Sequence, residues 1–232
     1  MRIRLITIPN LLTLANLLCG AVGVTAVLAW GDLTAAFGLM VAAAAFDFSD
    51  GFAARLLKQS GPLGGELDSL ADDISFGLLP AAILYVLYER MPGLWLPHWA
   101  GVAVFVVAAC AALRLAKFNI DETQHTEFCG LPSPAAALFC GSLGLLVEYR
   151  GLTLPGEAVV AVAVVVGWLM IADVRMFALK FEGFGWRGNE LRYSFLGVSA
   201  LLVVTLRVWA VPTIVVLYVL LSLVRAFVQT KK

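Results

Sequence analysis

Apolar runs about as long as a bilayer-spanning helix recur along nearly the whole chain, and they constrain it more than any single motif does. The hydrocarbon core of a membrane takes about 20 apolar residues of helix. Runs suited to that length fall near 11–30, 34–57, 67–88, 97–117, 132–149, 156–179, 193–207 and 209–228. Only 14% of the residues are charged and 61% are hydrophobic, against about 25% charged in soluble domains. The pattern predicts an all-α, polytopic integral membrane bundle of about eight transmembrane helices. Little chain is left between the runs, so one transmembrane domain over 1–232 is expected, with no soluble module. No signal peptide is expected either, because the first run keeps polar residues and lacks a small-residue cleavage site.

The formal net charge is zero, so bulk charge says nothing about partners, and no nucleic-acid partner is expected. The distribution of charge says more. With the N-terminus inside, the inner loops and tails carry Arg2, Arg4, Arg55, Lys58, Arg114, Lys117, Arg175, Lys180, Arg187, Arg192, Arg225, Lys231 and Lys232. The outer side is left with Arg90, Arg150 and Arg207. The positive-inside rule then puts both termini in the cytoplasm and favours an even number of spans. The expected location is the cytoplasmic membrane. The cysteines, Cys19, Cys110, Cys129 and Cys140, show no metal or redox spacing, and in apolar helices Cys usually acts as a small hydrophobe.

Arg2 and Arg4 alternate with apolar residues ahead of Pro9-Asn10. That predicts a short interfacial segment and Asn10 as the N-cap of the first helix. Thr13, Asn16 and Gly20 follow on one helical face, whose plainer reading is a small-residue packing seam between helices, with a functional face as the alternative. Ser60-Gly61-Pro62 marks a turn, with the third helix starting near Glu66. Arg207 and Pro212 lie in the last two runs, where no chemistry is visible.

Between the second and third runs the chain concentrates carboxylates: Asp47, Asp50, Glu66, Asp68 and Asp72. At about 100° per residue, Asp47, Asp50, Gly51, Ala54 and Arg55 share an arc of roughly 140°. Gly64, Asp68 and Asp72 form a second stripe four residues apart. A short turn makes the two helices antiparallel neighbours, so the acidic faces can meet. Bare carboxylates packed together in a membrane are prohibitively costly. Divalent cations resolve this, and hard oxygen ligands suit Mg²⁺ or Mn²⁺. A pair of such ions about 3.5–4 Å apart clamps a phosphoryl group. Gly51 would let an anion approach the backbone, and Arg55 would hold a phosphate. The plainer alternative is that the acids pair with Arg and Lys at the membrane surface.

The string Asp47-x-x-Asp50-Gly51-x-x-Ala54-Arg55-x8-Gly64-x3-Asp68-x3-Asp72 resembles the signature of the CDP-alcohol phosphatidyltransferase family at every defining position. The resemblance implies a six-helix membrane core over about 1–180, with two further spans near 193–228. It implies two divalent metals, a homodimer, and transfer of a phosphatidyl group from CDP-diacylglycerol to an alcohol with release of CMP. By the resemblance, Asp47, Asp50 and Asp68 are metal ligands, and Asp72 completes the metal site and serves as general base. Asn10, Thr13, Asp50, Gly51, Arg55, Ser60 and Gly64 would bind the CDP-lipid. Relatives often place a hydroxyl six positions after the arginine; here Gly61 stands there and Ser60 is the substitute.

Three further stretches, "LDSLADDISFGLLPA", "ALRLAKFNID" and "GLPSPAAA", resemble the phosphatidylserine synthase branch of that family, which implies L-serine as acceptor. Arg114, Lys117 and Asn119 would form a cluster for the serine carboxylate, with ordinary anchoring and snorkelling as the alternative for the two cations. Ser75 shares the face of Asp68 and Asp72 and would line the acceptor pocket, whereas Asp73 points away. Two readings compete with this one. The same chemistry could use a phosphorylated acceptor, glycerol 3-phosphate or inositol phosphate, held by Arg114, Lys117, Arg175 and Lys180. A cation-coupled transporter would also hold intramembrane acids, although its site is expected at mid-membrane between inverted repeats, and no repeat is visible here.

Overall fold

The computed structural model describes residues 5–91, 95–121, 128–177, 185 and 189–230. Arg2, Arg4, Lys180, Arg187, Lys231 and Lys232, which entered the orientation argument, lie outside the described residues, as does most of the expected interfacial segment.

Helix α1 spans Ile8–Trp30. Its N-cap is Thr7, not Asn10 as expected: Thr7 is extended, and its hydroxyl accepts from the Asn10 N–H at 3.3 Å. Pro9 explains the shift, because its missing N–H and fixed φ suit the first turn. Asn10 is thereby released into the helix, where its side chain donates to the Leu5 carbonyl at 2.9 Å and is buried. The helix stops at Gly31, whose φ of 65° is left-handed. Asp32 then caps α2 (Leu33–Leu56) by accepting from the Ala35 N–H at 2.8 Å. Two residues thus close a hairpin, and α1 and α2 pack along their length.

Lys58, with φ 52°, turns the chain out of α2. Helix α3 runs Pro62–Asp72, opening at Pro62 rather than near Glu66 for the same reason that Pro9 opens α1. It continues without a break through a π-helical segment, Asp73–Leu78, into α4, Leu79–Arg90. Helix α4 is buried nearly all round, through Leu79, Pro80, Ala81, Ala82, Ile83, Leu84 and Leu87. That places it at the centre of the bundle. A close crossing holds α1 to the π segment: a Cβ on Gly20 would fall 2.5 Å from the Ser75 Oγ and 2.9 Å from its Cα.

A 3₁₀ stretch, His98–Phe105, leads into α5, Val106–Ile120. Helix α6 spans Ser133–Arg150 and α7 spans Gly156–Ile171. Two short strands, β1 (Phe128–Cys129) and β2 (Arg175–Met176), pair antiparallel, with Cys129 opposite Arg175. Gly130 follows with φ 79°, and a Cβ there would sit 2.2 Å from the Met170 carbonyl oxygen. Only glycine fits both demands.

Helix α8 (Glu190–Leu206), a 3₁₀ turn (Arg207–Trp209) and α9 (Ala210–Thr230) complete the chain. Helix α9 packs on α6 and β2. Phe177, Phe195 and Tyr218 form an aromatic cluster, and the Tyr218 hydroxyl donates to the Phe177 carbonyl at 3.0 Å.

The fold is helical, as expected, with a helix at each of the eight apolar runs. Among the described residues, five helical stretches are long and apolar enough to cross a membrane: Ile8–Trp30, Leu33–Leu56, Pro62–Arg90, His98–Ile120 and Glu190–Phe227. Gly156–Ile171 is apolar but shorter. Large apolar side chains such as Leu18, Phe48, Val165 and Leu201 face outward, as lipid contact requires.

Candidate active site

Three of the four expected carboxylates converge. Ligand oxygens of Asp47 and Asp50 on α2 and of Asp68 on α3 all lie within 4.8 Å of one another. The helical periodicity places Asp47 and Asp50 on one face of α2, and the tight turn at Lys58 brings α3 back against it. Asp72 stands outside this group of three, one turn beyond Asp68. It is close enough to feel the charges of all three other aspartates, and it is buried, with 9% of its surface exposed.

Helix α1 carries no acid, yet it holds two. The Thr13 hydroxyl donates to Asp50 Oδ2 at 2.5 Å. One turn on, Asn16 Nδ2 donates to Asp72 Oδ1 at 3.0 Å. The face read as a packing seam therefore divides its work: Gly20 makes the close crossing, whereas Thr13 and Asn16 reach into the acidic cluster.

The donor set fits a divalent cation. Asp68 Oδ1 is buried without a hydrogen-bond partner. None of the ion pairs among the described residues involves any of the four aspartates, so the surface-pairing alternative has no support among them. Clustered hard oxygens with an orphaned buried atom are what a cation would satisfy.

A cavity of about 260 Å³ opens beside the acids, lined by Pro9, Asn10, Thr13, Asp50, Gly51, Ala54, Gln59, Ser60, Gly61, Gly64, Gly65 and Asp68. Of the seven residues expected at the CDP-lipid, Asn10, Thr13, Asp50, Gly51, Ser60 and Gly64 are in this wall. Arg55 is not, but its Nη1 would lie 3.7 Å from a Cβ on Gly51, so the guanidinium rests at the edge. The glycines here are informative. A Cβ on Gly61 or Gly65 would meet nothing within 4 Å, and those on Gly51 and Gly64 would meet neighbours only at ordinary contact distance. None of the four has a positive φ. Neither strain nor crowding demands glycine, and the bare backbone keeps the cavity open.

The structure separates the residues assigned to the acceptor. Arg114 points inward: it is 8% exposed, Nη1 donates to Ser133 Oγ at 2.9 Å, and Nε is buried without a partner. Its charge is within reach of Asp72. Lys117 instead pairs with Asp173 at 2.6 Å, and that ammonium holds the Asp173 carboxyl below its ordinary range. Asn119 Nδ2 donates to Ser69 Oγ at 2.9 Å, tying α5 to α3. No single cluster of Arg114, Lys117 and Asn119 forms. Ser75 is fully buried and donates to the Asn16 carbonyl at 3.0 Å, so it stands at the helix crossing rather than on an open wall. Asp73 Oδ1 would lie 2.7 Å from a Cβ on Gly77, and Asp73 is not among the converging carboxylates.

Sequence reasoning overlooked Asn16 as a partner of Asp72, Ser133 as a partner of Arg114, and Gln59 in the cavity wall. The stretch "GLPSPAAA" held a signal for Ser133: Gly130 and the prolines on either side of Ser133 set the start of α6 beside α5.

Comparison with known proteins identifies the family. A family model described as CDP-alcohol phosphatidyltransferase matches residues 6–175. The chain is 42% identical over 123 residues to the CDP-diacylglycerol–serine O-phosphatidyltransferase of Mycobacterium tuberculosis (strain ATCC 25618 / H37Rv), covering 50% of this chain and 41% of that protein. It therefore spans about two fifths of the length of that relative. It is 33% identical over 172 residues to the protein of the same name from Methanocaldococcus jannaschii, covering 74% of each chain. It is also 33% identical over 172 residues to an archaetidylserine synthase from Methanothermobacter thermautotrophicus, covering 73% of this chain and 69% of that protein. With the matched model covering most of its length, the chain belongs to the CDP-alcohol phosphatidyltransferase family.

Proposed function

We propose that this protein transfers the phosphatidyl group of CDP-diacylglycerol to the hydroxyl of L-serine, giving phosphatidylserine and CMP. The observation that carries the reading is that Asp50 and Asp68 belong both to the acidic triad and to the wall of a glycine-lined cavity. The names of the relatives support serine as the acceptor.

Asp47, Asp50 and Asp68 would hold divalent cations, with Asp72 beside them. Two such ions, Mg²⁺ or Mn²⁺, would neutralise the pyrophosphate and the departing CMP. Asn10, Gly51, Ser60 and Gly64 bound the space for the nucleotide, and Arg55 at the edge takes a phosphate oxygen. Asp72 accepts the serine hydroxyl proton as that oxygen bonds to the phosphatidyl phosphorus and the bond to CMP breaks. Arg114 supplies the positive charge for the serine carboxylate. A buried guanidinium with an unpartnered Nε is costly until an anion meets it. Lys117 and Asn119 act one step away, fastening α5 to Asp173 and Ser69. The enzyme works as a homodimer in the cytoplasmic membrane, with its termini and site facing the cytoplasm and the lipid tails left in the bilayer.

The test is acceptor-dependent CMP release from CDP-diacylglycerol by the purified protein in mixed micelles with Mg²⁺ or Mn²⁺. Serine, glycerol 3-phosphate and inositol phosphate are compared side by side. Release with serine alone is expected. Release with a phosphorylated acceptor and not serine would overturn the acceptor assignment.

A further inference from the structure

A packing seam accounts for Gly20 but not for Asn16. Seams between membrane helices favour small residues that let backbones approach, and a fully buried amide belongs there only if its polar atoms are used. Asn16 is 0% exposed. Its Nδ2 donates to Asp72 Oδ1 at 3.0 Å, and its main-chain carbonyl accepts from Ser75 at 3.0 Å. Its Oδ1 has no partner. One residue of α1 is therefore tied at both ends to the same short stretch, Asp72 by side chain and Ser75 by backbone. That stretch is where α3 passes into the π segment. Helical turns of this wider kind often mark functional sites. Here the segment starts at the residue after Asp72.

We infer that Asn16 is a positioning residue: its amide fixes the Asp72 carboxylate by one oxygen, so that the other is presented to the hydroxyl of the acceptor. The inference rests on the reading of Asp72 as the group that takes the proton. Three features give it content beyond simple packing. Asp72 is the carboxylate that stands outside the close triad of Asp47, Asp50 and Asp68. The single hydrogen bond described for its side chain is the one from Asn16. The donor and its target are both buried, where losing the hydrogen bond would leave a polar group unsatisfied. Thr13 does the equivalent for Asp50 one turn earlier. Helix α1 thus sets the spacing between the cation-holding and proton-accepting carboxylates.

The experiment compares wild type, Asn16→Ala and Asn16→Asp in micelles. Asn16→Asp is near-isosteric and preserves the packing while replacing the donor by a carboxyl. Steady-state kinetics are measured for both substrates, and CMP affinity is measured by calorimetry. Misplacing a reacting group by about 1 Å can cost on the order of 100-fold. For both variants kcat is expected to fall by about 10–100-fold, with both KM values and the CMP affinity within about threefold of wild type. A kcat within about twofold of wild type in folded Asn16→Ala overturns the inference. So does a loss carried by KM or CMP affinity, which would make Asn16 part of the binding site. If neither variant yields folded protein, Asn16 is a folding residue and the inference fails. Wild type without acceptor-dependent CMP release removes the activity reading itself, and this inference with it; active wild type with unaffected variants removes the inference alone.

Discussion

Arg114 of α5 reaches Ser133 at the first turn of α6, its Nη1 donating to the serine Oγ at 2.9 Å while Nε stays buried and unpartnered. The hydrogen bond aims the guanidinium toward the interior, on the side of Asp72. Arg114→Ala is expected to raise the KM for serine by at least about tenfold while leaving that for CDP-diacylglycerol within about threefold, since charged hydrogen bonds contribute about 1.5–3 kcal/mol. Arg114→Lys should recover only part of the loss, because a point charge cannot replace a planar fork. An unchanged serine KM in Arg114→Ala would return this arginine to a structural role.

Removal of divalent cations should abolish turnover. The triad of Asp47, Asp50 and Asp68 oxygens within 4.8 Å has no cationic side chain in an ion pair with it among the described residues. Excess chelator should silence CMP release, and added Mg²⁺ or Mn²⁺ should restore it. Calorimetry should show CMP binding only with the metal present. Full activity in chelator would sink the cation reading.

Asp72→Asn should separate proton acceptance from cation holding. The variant keeps size and the contact with Asn16 but loses most of its basicity. General bases contribute about 10²–10⁴-fold, so a fall in kcat of that order is expected, with CMP still bound in a metal-dependent way. Asp47→Asn and Asp50→Asn should weaken metal and CMP binding together with turnover. Equal loss of CMP affinity in all three would assign Asp72 to ligation.

Gly51→Ala offers a test in which stability and activity move in opposite directions. Gly51 lies inside α2, where a Cβ meets nothing closer than Arg55 Nη1 at 3.7 Å. Helical glycine is destabilising by about 0.5–1 kcal/mol relative to alanine, so the variant should melt slightly higher. The added methyl projects at the cavity wall, so the KM for CDP-diacylglycerol should rise several-fold. A lower melting temperature would show that Gly51 is needed by the fold rather than by the cavity.

The acidic faces were legible in the order of residues because helix geometry is local. Once Asp47, Asp50, Gly51 and Arg55 are helical, a rotation of about 100° per residue decides which of them share a face. The turn at Ser60-Gly61-Pro62 then leaves α3 little choice but to lie against α2, which brings Asp68 to Asp47 and Asp50. The membrane class was legible for a similar reason: the length and apolarity of each run are properties of the run alone.

What contacts join different helices was not written in any one segment. Asn16 with Asp72, Arg114 with Ser133 and Asn119 with Ser69 each depend on how two helices are rotated and slid against each other, and Lys117 with Asp173 depends on where the segment after α7 falls against α5. That register is set by where backbones can approach, as at Gly20 against Ser75 and Gly130 against Met170. A one-residue change in either partner would turn the side chain by about 100° and break the contact. Spacing alone therefore grouped Arg114, Lys117 and Asn119 as one cluster, and packing sent them to three places. The chemistry of the carboxylates followed from helical periodicity, whereas the choice of which neighbours orient them followed from the packing of α1, α5 and α6 around α3 and the π segment that continues it.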